Sequence, residues 1–294
     1  MTIGFIGFGG AAYGITKGLK EEGFREICFF DPLWNTAPNS DVIQKHAEET
    51  GAILRKSLEL LIRESEIVIS CVTGSVALSV AEQASSFLES RHLFVDVNTA
   101  SPSVMESVGD LIQGSGAAFA DVAMLGGIPT FSHRVPCLAS GNGAEQFRKM
   151  MTPYGMDITC IGEKAGQASA IKMFRSVFMK GFLALLMEML SGTHRYQVDS
   201  LVLESIAKTM EKKSFLETVR LQLGKGVVNA ERMSHEMEAV VETFTEMGLP
   251  SIMATAAQEK LEWCSQMNLD EYFGGEIPES LDEILDIITE RCNG

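Results

Sequence analysis

Short apolar runs alternate with helical periodicity through the first half of the chain. IGFIG (3–7), EICFF (26–30), EIVISCV (66–72), HLFVDV (92–97) and AAFADV (117–122) predict strands, and PCLAS (136–140) and DITCIG (157–162) predict two more. Between them, residues 11–23, 75–89 and 101–114 carry apolar positions at helical spacing. Near-continuous apolar strands that alternate with helices predict a parallel sheet covered on both faces. After Gly166 the pattern changes. AIKMFRSVFMKGFLALLMEML (170–190) has helical spacing and high apolar content, and the remainder alternates helical segments with breaks at Gly224, Gly226, Gly248–Pro250 and Gly274–Pro278. No strand pattern follows, so the second half is expected to be all-helical. The boundary is placed between 162 and 168, giving an α/β domain over 1–164 and an all-α domain over 165–294. The acidic stretch 276–290 predicts a solvated helix with Leu281, Ile284, Leu285 and Ile288 facing inward.

Composition narrows the partners. The 294 residues are 46% hydrophobic, enough for one large or two ordinary cores. A net charge of −15 argues against nucleic acid, whose phosphates need a basic surface. The six cysteines are scattered without a C-x-x-C pair, mostly in apolar segments, as expected of a reduced cytoplasmic protein. The first charge is Lys17, but glycines interrupt the apolar run a signal peptide would need, and no uncharged stretch reaches the roughly 18 apolar residues of a membrane span. No metal and no membrane partner are expected.

The chemistry starts at the first strand. Gly7-Phe8-Gly9-Gly10-Ala11-Ala12 fits G-x-G-x-x-G/A at a strand-to-helix turn. The first glycine permits the turn, the second lets a pyrophosphate approach the backbone, and Ala12 is small enough for the helix to pack on the sheet. Free amides at the helix start then hold phosphate. Asp31 closes the next strand, where a carboxylate binds a ribose 2′-hydroxyl and repels a 2′-phosphate; its alternative is a turn residue before Pro32. With no arginine in the next few positions, NAD is expected in preference to NADP, which is not excluded. The sequence therefore predicts a Rossmann dinucleotide-binding domain followed by helices.

Four motifs, in order along the whole chain, resemble the β-hydroxyacid dehydrogenase family, which includes 6-phosphogluconate and 3-hydroxyisobutyrate dehydrogenases. They are the glycine turn, DVNTASP (96–102), DVAMLGGIP (121–129) and GQASAIKMFRS (166–176). The second is similar to the family's D-x-S-T-x-x-P segment near nicotinamide and substrate, the third to its Ser-Gly-Gly substrate loop, and the fourth to its G-x-G-x-x-x-K-x-x-N-N helix. The resemblance implies that Lys172 is the acid/base. It also implies that Thr73 and Asn98 face the cofactor and that Thr99, Gly126 and Gly127 face the substrate. A lysine among Ala170, Ile171, Met173 and Phe174 is open to pKa depression by desolvation, or else snorkels to the helix edge.

The chain departs from the pattern in three places. Leu125 stands where the loop serine is expected, and Arg175 and Ser176 replace the two polar residues after the lysine. Lys172, Arg175, Ser176 and Met179 share a helix face, with Lys180 within reach of Ser176. This more cationic face suits a small anionic substrate, unless Arg175 or Lys180 pairs with acids of the helical domain. His235 stands near the place of a family lysine and is a second candidate donor, or an ordinary surface histidine; His133 and Arg134 follow the loop outside the catalytic set. The expected activity is hydride transfer between nicotinamide and a small hydroxy acid. The alternatives are imine or keto reduction and a non-enzymatic dinucleotide-binding protein, and Lys172 speaks against the last. Apolar runs at 170–190, 198–210 and 250–264 predict a homodimer through the helical domain.

Overall fold

The computed structural model describes residues 1–293, which divide into two compact units, Met1–Val177 and the residues from Phe178 on. The first unit is a sheet with helices. Its first half runs β1 (Ile3–Ile6), α1 (Gly10–Glu21), β2 (Ile27–Phe30), α2 (Ser40–Thr50), β3 (Ile53–Leu54), α3 (Leu58–Glu64), β4 (Ile67–Ser70) and α4 (Ala77–Ser85). Its second half runs β5 (Leu93–Asp96), α5 (Pro102–Gly114), β6 (Ala118–Met124), α6 (Ile128–Phe131), β7 (Cys137–Ser140), α7 (Ala144–Met151), β8 (Ile158–Gly162) and the start of α8 (Gln167–Tyr196).

The eight strands lie in the order β3-β2-β1-β4-β5-β6-β7-β8. Phe5, Phe29, Val95 and Ala120 pack on one face, and Ile6, Phe94 and Phe119 on the other, so both faces are covered as the apolar runs predict. Burial of each large side chain contributes about 1.5–3 kcal/mol. The sheet departs from all-parallel at one place. β7 runs antiparallel to β6, with β8 parallel to β7. The 125–136 connection holds only a four-residue helix and a 3-10 turn, too little for a crossover, so the chain reverses. Two-residue β3 and the short α2 and α3 were not expected from the sequence, β3 being too short to show alternation.

The second unit continues α8 and adds α9 (Asp199–Met210), α10 (Phe215–Val228), α11 (Ala230–Glu246), α12 (Ile252–Ser265), α13 (Leu269–Tyr272) and α14 (Leu281–Asn293). Its described residues contain no strand. The sequence boundary at 164/165 precedes α8, whereas the compact units divide within that helix. Ser214 and Glu217 form a reciprocal capping box that starts α10. The acidic helix begins at Leu281 rather than 276. Its inward stripe is Ile284 and Ile287 with Ile288 half-buried, and Leu285 is turned outward, contrary to the sequence expectation. A stripe spaced 284–287–288 leaves 285 about 100° off the buried face. Among the described residues no helix is long and apolar enough to cross a membrane.

Candidate active site

The glycine turn joins β1 to α1 as the spacing requires. Gly7 adopts φ 85°, and a Cβ there would lie 2.5 Å from the Cys71 carbonyl oxygen, so glycine is needed for both conformation and space. A Cβ on Gly9 or Gly10 would meet nothing within 4 Å. Both glycines, with Gly7, Ala11, Asp31 and Thr73, line a cleft of about 750 Å³. This open floor at a helix N-terminus fits a dinucleotide pyrophosphate. Ala12 is fully buried against the sheet. Phe8 turns its ring into the core, stacked 4.2 Å from Phe29, and its amide donates to Asp31 Oδ2 at 2.8 Å. Asp31 Oδ1 also accepts from the Leu33 amide at 2.9 Å. Two accepted bonds leave a carboxylate two further lone-pair sites, so Asp31 both ties down the turn and keeps capacity for a ribose hydroxyl.

The loops after β4 and β5 meet beside this cleft. A Cβ on Gly74 would collide with the Thr99 carbonyl oxygen, so the Thr73-Gly74 turn packs directly on Thr99. Thr99 is exposed, whereas Asn98 is only 4% exposed and its amide group is engaged. Asn98 Oδ1 accepts from the Val72 amide at 2.6 Å, and Nδ2 donates to Ser70 Oγ at 2.8 Å and Asp96 Oδ2 at 2.9 Å. Asn98 thus braces two strand ends, and its side chain holds protein rather than facing the cleft. Asp96 is wholly buried, and burial pushes its carboxyl up to about 7 against the opposing pull of the Asn98 donors.

A second buried carboxylate stands next to it. Asp121 on β6 is in register with Asp96 on β5. Its Oδ2 accepts from the amides of Gly166 and Ser169, each at 3.1 Å, and its Oδ1 from Ser169 Oγ at 2.7 Å. Ser140 Oγ donates to Asp121 Oδ2 at 3.3 Å and accepts from the Ala168 amide at 3.0 Å. The sheet therefore holds the start of α8. Lys172 follows on α8, half-buried. The Cys137 thiol is pushed up to about 12, first by burial and then by the charge of Asp157, while the Lys172 ammonium opposes the shift. Because β7 is antiparallel, Cys137 is in register with Met124 at the end of β6. Asp96 closes β5, so the level of Asp121 to which α8 is tied lies at the carboxyl edge of the parallel strands, where open α/β sheets bind ligands.

Arg175 is exposed and Ser176 half-buried on the same helix in the first unit. Lys180 and His235 are exposed residues of the second unit, His235 on α11. Gly126 and Gly127 are exposed after β6, and a Cβ on Gly126 would press on the Phe131 ring at 3.0 Å. The segment that follows folds back on α1, where Ser132 Oγ donates to the Gly14 carbonyl at 2.8 Å. His133 is buried there, its pKa lowered by desolvation, and Arg134 pairs with Glu22. Sequence reasoning passed over Asp96, Asp121, Ser140 and Gly74. For the two acids a signal was present: a single carboxylate inside an otherwise apolar strand run, HLFVDV and AAFADV. Among the described residues no group of three His, Cys, Asp or Glu side chains could hold a metal ion.

Residues 2–100 match the family described as NADP oxidoreductase, coenzyme F420-dependent. Residues 193–264 match a domain of unknown function, DUF1932. The conserved protein MTH1747, whose structure is described as similar to 3-hydroxyacid dehydrogenases, is 31% identical; the match covers 92% of this chain and 99% of that one, with a TM-score of 0.61. An NADH-dependent oxidoreductase of Aspergillus ustus is 25% identical over 57% of this chain and 58% of its own. An imine reductase of Myxococcus stipitatus, in complex with NADP⁺, superimposes with a TM-score of 0.73 over 98% of this chain and 100% of its own at 15% identity, a likeness of fold.

Proposed function

The chain is a divergent member of the β-hydroxyacid dehydrogenase family, and on that premise we propose that this NAD(P)-dependent oxidoreductase acts on a small anionic hydroxy acid or its keto form, with Lys172 as acid/base. One observation carries the reading. The glycine-floored cleft and the buried Asp121 that holds the start of the Lys172 helix belong to the same edge of one sheet.

Bound nicotinamide supplies or accepts the hydride. The chain's own residues do the rest. In the oxidative direction neutral Lys172 Nζ takes the hydroxyl proton as the carbinol carbon becomes a carbonyl; in the reductive direction the ammonium returns it to the carbonyl oxygen. Gly9 and Gly10 leave room for the pyrophosphate, and the amides opening α1 hold it. Asp31 accepts from the ribose and disfavours a 2′-phosphate, which makes NAD the preferred cofactor. Arg175 offers a fork to a substrate carboxylate, with Thr99, Ser176 and the Gly126-Gly127 amides as further substrate contacts. Lys180 and His235 belong to the second unit and are given no part in this site.

A second reading, imine reduction, is favoured by Leu125. Where the family loop has a serine, this chain offers no hydroxyl to a hydroxy acid. Absorbance at the reduced-nicotinamide band, with 3-hydroxy acids, keto acids and cyclic imines as probes, separates the two. Lys172→Ala should lower turnover by about 10²–10⁴ and leave cofactor affinity unchanged. Near-normal turnover in that variant would remove Lys172 from the mechanism.

A further inference from the structure

We propose that Asp121 is a positioning residue, a cap delivered from the sheet that fixes the first turn of α8 and with it the presentation of Lys172. The inference rests on the role given above to Lys172. It begins with a local impossibility. Helices are ordinarily capped by a Ser, Thr, Asp or Asn just ahead of the first turn. Here that position is Gly166, at φ 88°, where a Cβ would lie 2.8 Å from the Pro102 carbonyl oxygen. No local side chain can serve there, and free amides at a buried helix start are costly.

The sheet provides what the chain cannot. Asp121, forty-five residues before Gly166, accepts from the amides of Gly166 and Ser169 and from the Ser169 hydroxyl, while Ser140 takes the Ala168 amide and donates to Asp121. Asp121 and Ser140 are completely buried and Ser169 nearly so, so water does not compete. An ionised carboxylate at a helix N-terminus also gains from the aligned peptide dipoles.

Where the cap comes from matters. A cap on the preceding residue moves with its helix, whereas a cap on β6 ties the helix to the strand. Bonds to both Gly166 and Ser169 fix the rotation of α8 about its axis as well as its position. Lys172 is three residues beyond Ser169 and so on the same face, about 4.5 Å further along. β6 also leads, three residues after Asp121, into the loop that carries Gly126 and Gly127. One side chain therefore sets the lysine relative to the strand that bears the proposed substrate loop.

Asp121→Asn keeps the size but removes the charge and one of the two acceptor oxygens, which weakens the bonds to the Gly166 and Ser169 amides and ends acceptance from the Ser169 hydroxyl. Hydrogen exchange of the amides at 166–169 should then quicken by about tenfold or more. Trace acetylation of Lys172 with acetic anhydride, measured against exposed Lys164 in the same protein, should change by about threefold or more, while calorimetric affinity for NAD stays unchanged. With 3-hydroxybutyrate and NAD as the turnover probe, kcat should fall about ten- to a hundredfold with little change in KM. The same substitution in a Lys172→Ala background should cause no further loss. Ser169→Ala, which removes only the hydroxyl bond, should show the same pattern more weakly and serves if Asp121→Asn does not fold. Unchanged exchange and unchanged Lys172 labelling overturn the proposal, as does a loss of kcat that is equal in the presence and absence of Lys172. Normal turnover by Lys172→Ala alone overturns instead the reading on which the proposal rests, and the exchange and labelling results are still read on their own.

Discussion

Asp96 is a residue whose environment works against its charge. It is wholly buried in β5, and burial pushes its carboxyl up to about 7. The unfolded chain releases that proton near pH 4. Between the two values the folded state binds more protons than the unfolded one, so stability is full below about pH 4 and falls as pH rises toward 7. The slope from one such group approaches roughly 1.4 kcal/mol per pH unit. Asp121 is displaced in the same direction, also by burial. Urea unfolding midpoints of the wild type should therefore decline between pH 4.5 and 7 relative to those of Asp96→Asn. Parallel profiles for the two proteins would mean that Asp96 titrates as it does in the unfolded chain. The same residue shows why Asn98 is buried: its donors partly compensate a carboxylate that the strand has taken out of water.

The β1–α1 turn is the element on which the proposed cofactor binding depends, and its three glycines are not equivalent. Gly7 is held by its own backbone and by the Cys71 carbonyl, so a side chain there would damage the fold. Gly9 has an extended backbone, φ −75° and ψ −167°, and open space where its Cβ would be. Gly9→Val should consequently fold with an unchanged melting temperature and lose at least about tenfold in cofactor affinity, because its side chain occupies the floor of the cleft. In the same calorimetric titrations the wild type should bind NAD more tightly than NADP, since Asp31 faces that cleft with its charge. Normal binding by Gly9→Val would dissociate the glycine floor from the cofactor. Equal affinities for the two dinucleotides would remove the discriminating role of Asp31.

Across the whole molecule the two units bury their apolar residues very differently. Most of the buried core belongs to the sheet, whereas in the second unit Leu183, Met187, Leu201, Leu216 and Ile252 all stand more than half exposed. Between Phe178 and Leu190, α8 carries only two charged residues, Lys180 and Glu188, a composition that belongs inside a protein. We propose that a second copy with the same apolar complement covers exposed surface of this extent. Light scattering at micromolar concentration should give twice the 32.0 kDa chain mass. Leu216→Glu should shift that mass toward the monomer, by placing a charge in the contact at a cost of several kcal/mol. A monomeric wild type would refute the pairing.

By itself the sequence determined the alternation of strands and helices, the all-helical second half, the glycine turn and the acid that closes β2. These are local: period, turn chemistry and a charge at a strand end are each written within a few neighbouring residues. The helical spacing of apolar positions over 170–190 also placed Lys172 on a helix. Only the tertiary structure decided the reversal of β7, because the cue is the absence of a crossover, which leaves no pattern to read. Only the structure turned Leu285 outward and drew Asn98 into a brace, because each depends on partners supplied by other elements. The clearest case is the start of α8. Gly166 promises no cap, and the cap that exists lies forty-five residues earlier on β6, a distance along the chain that only folding closes.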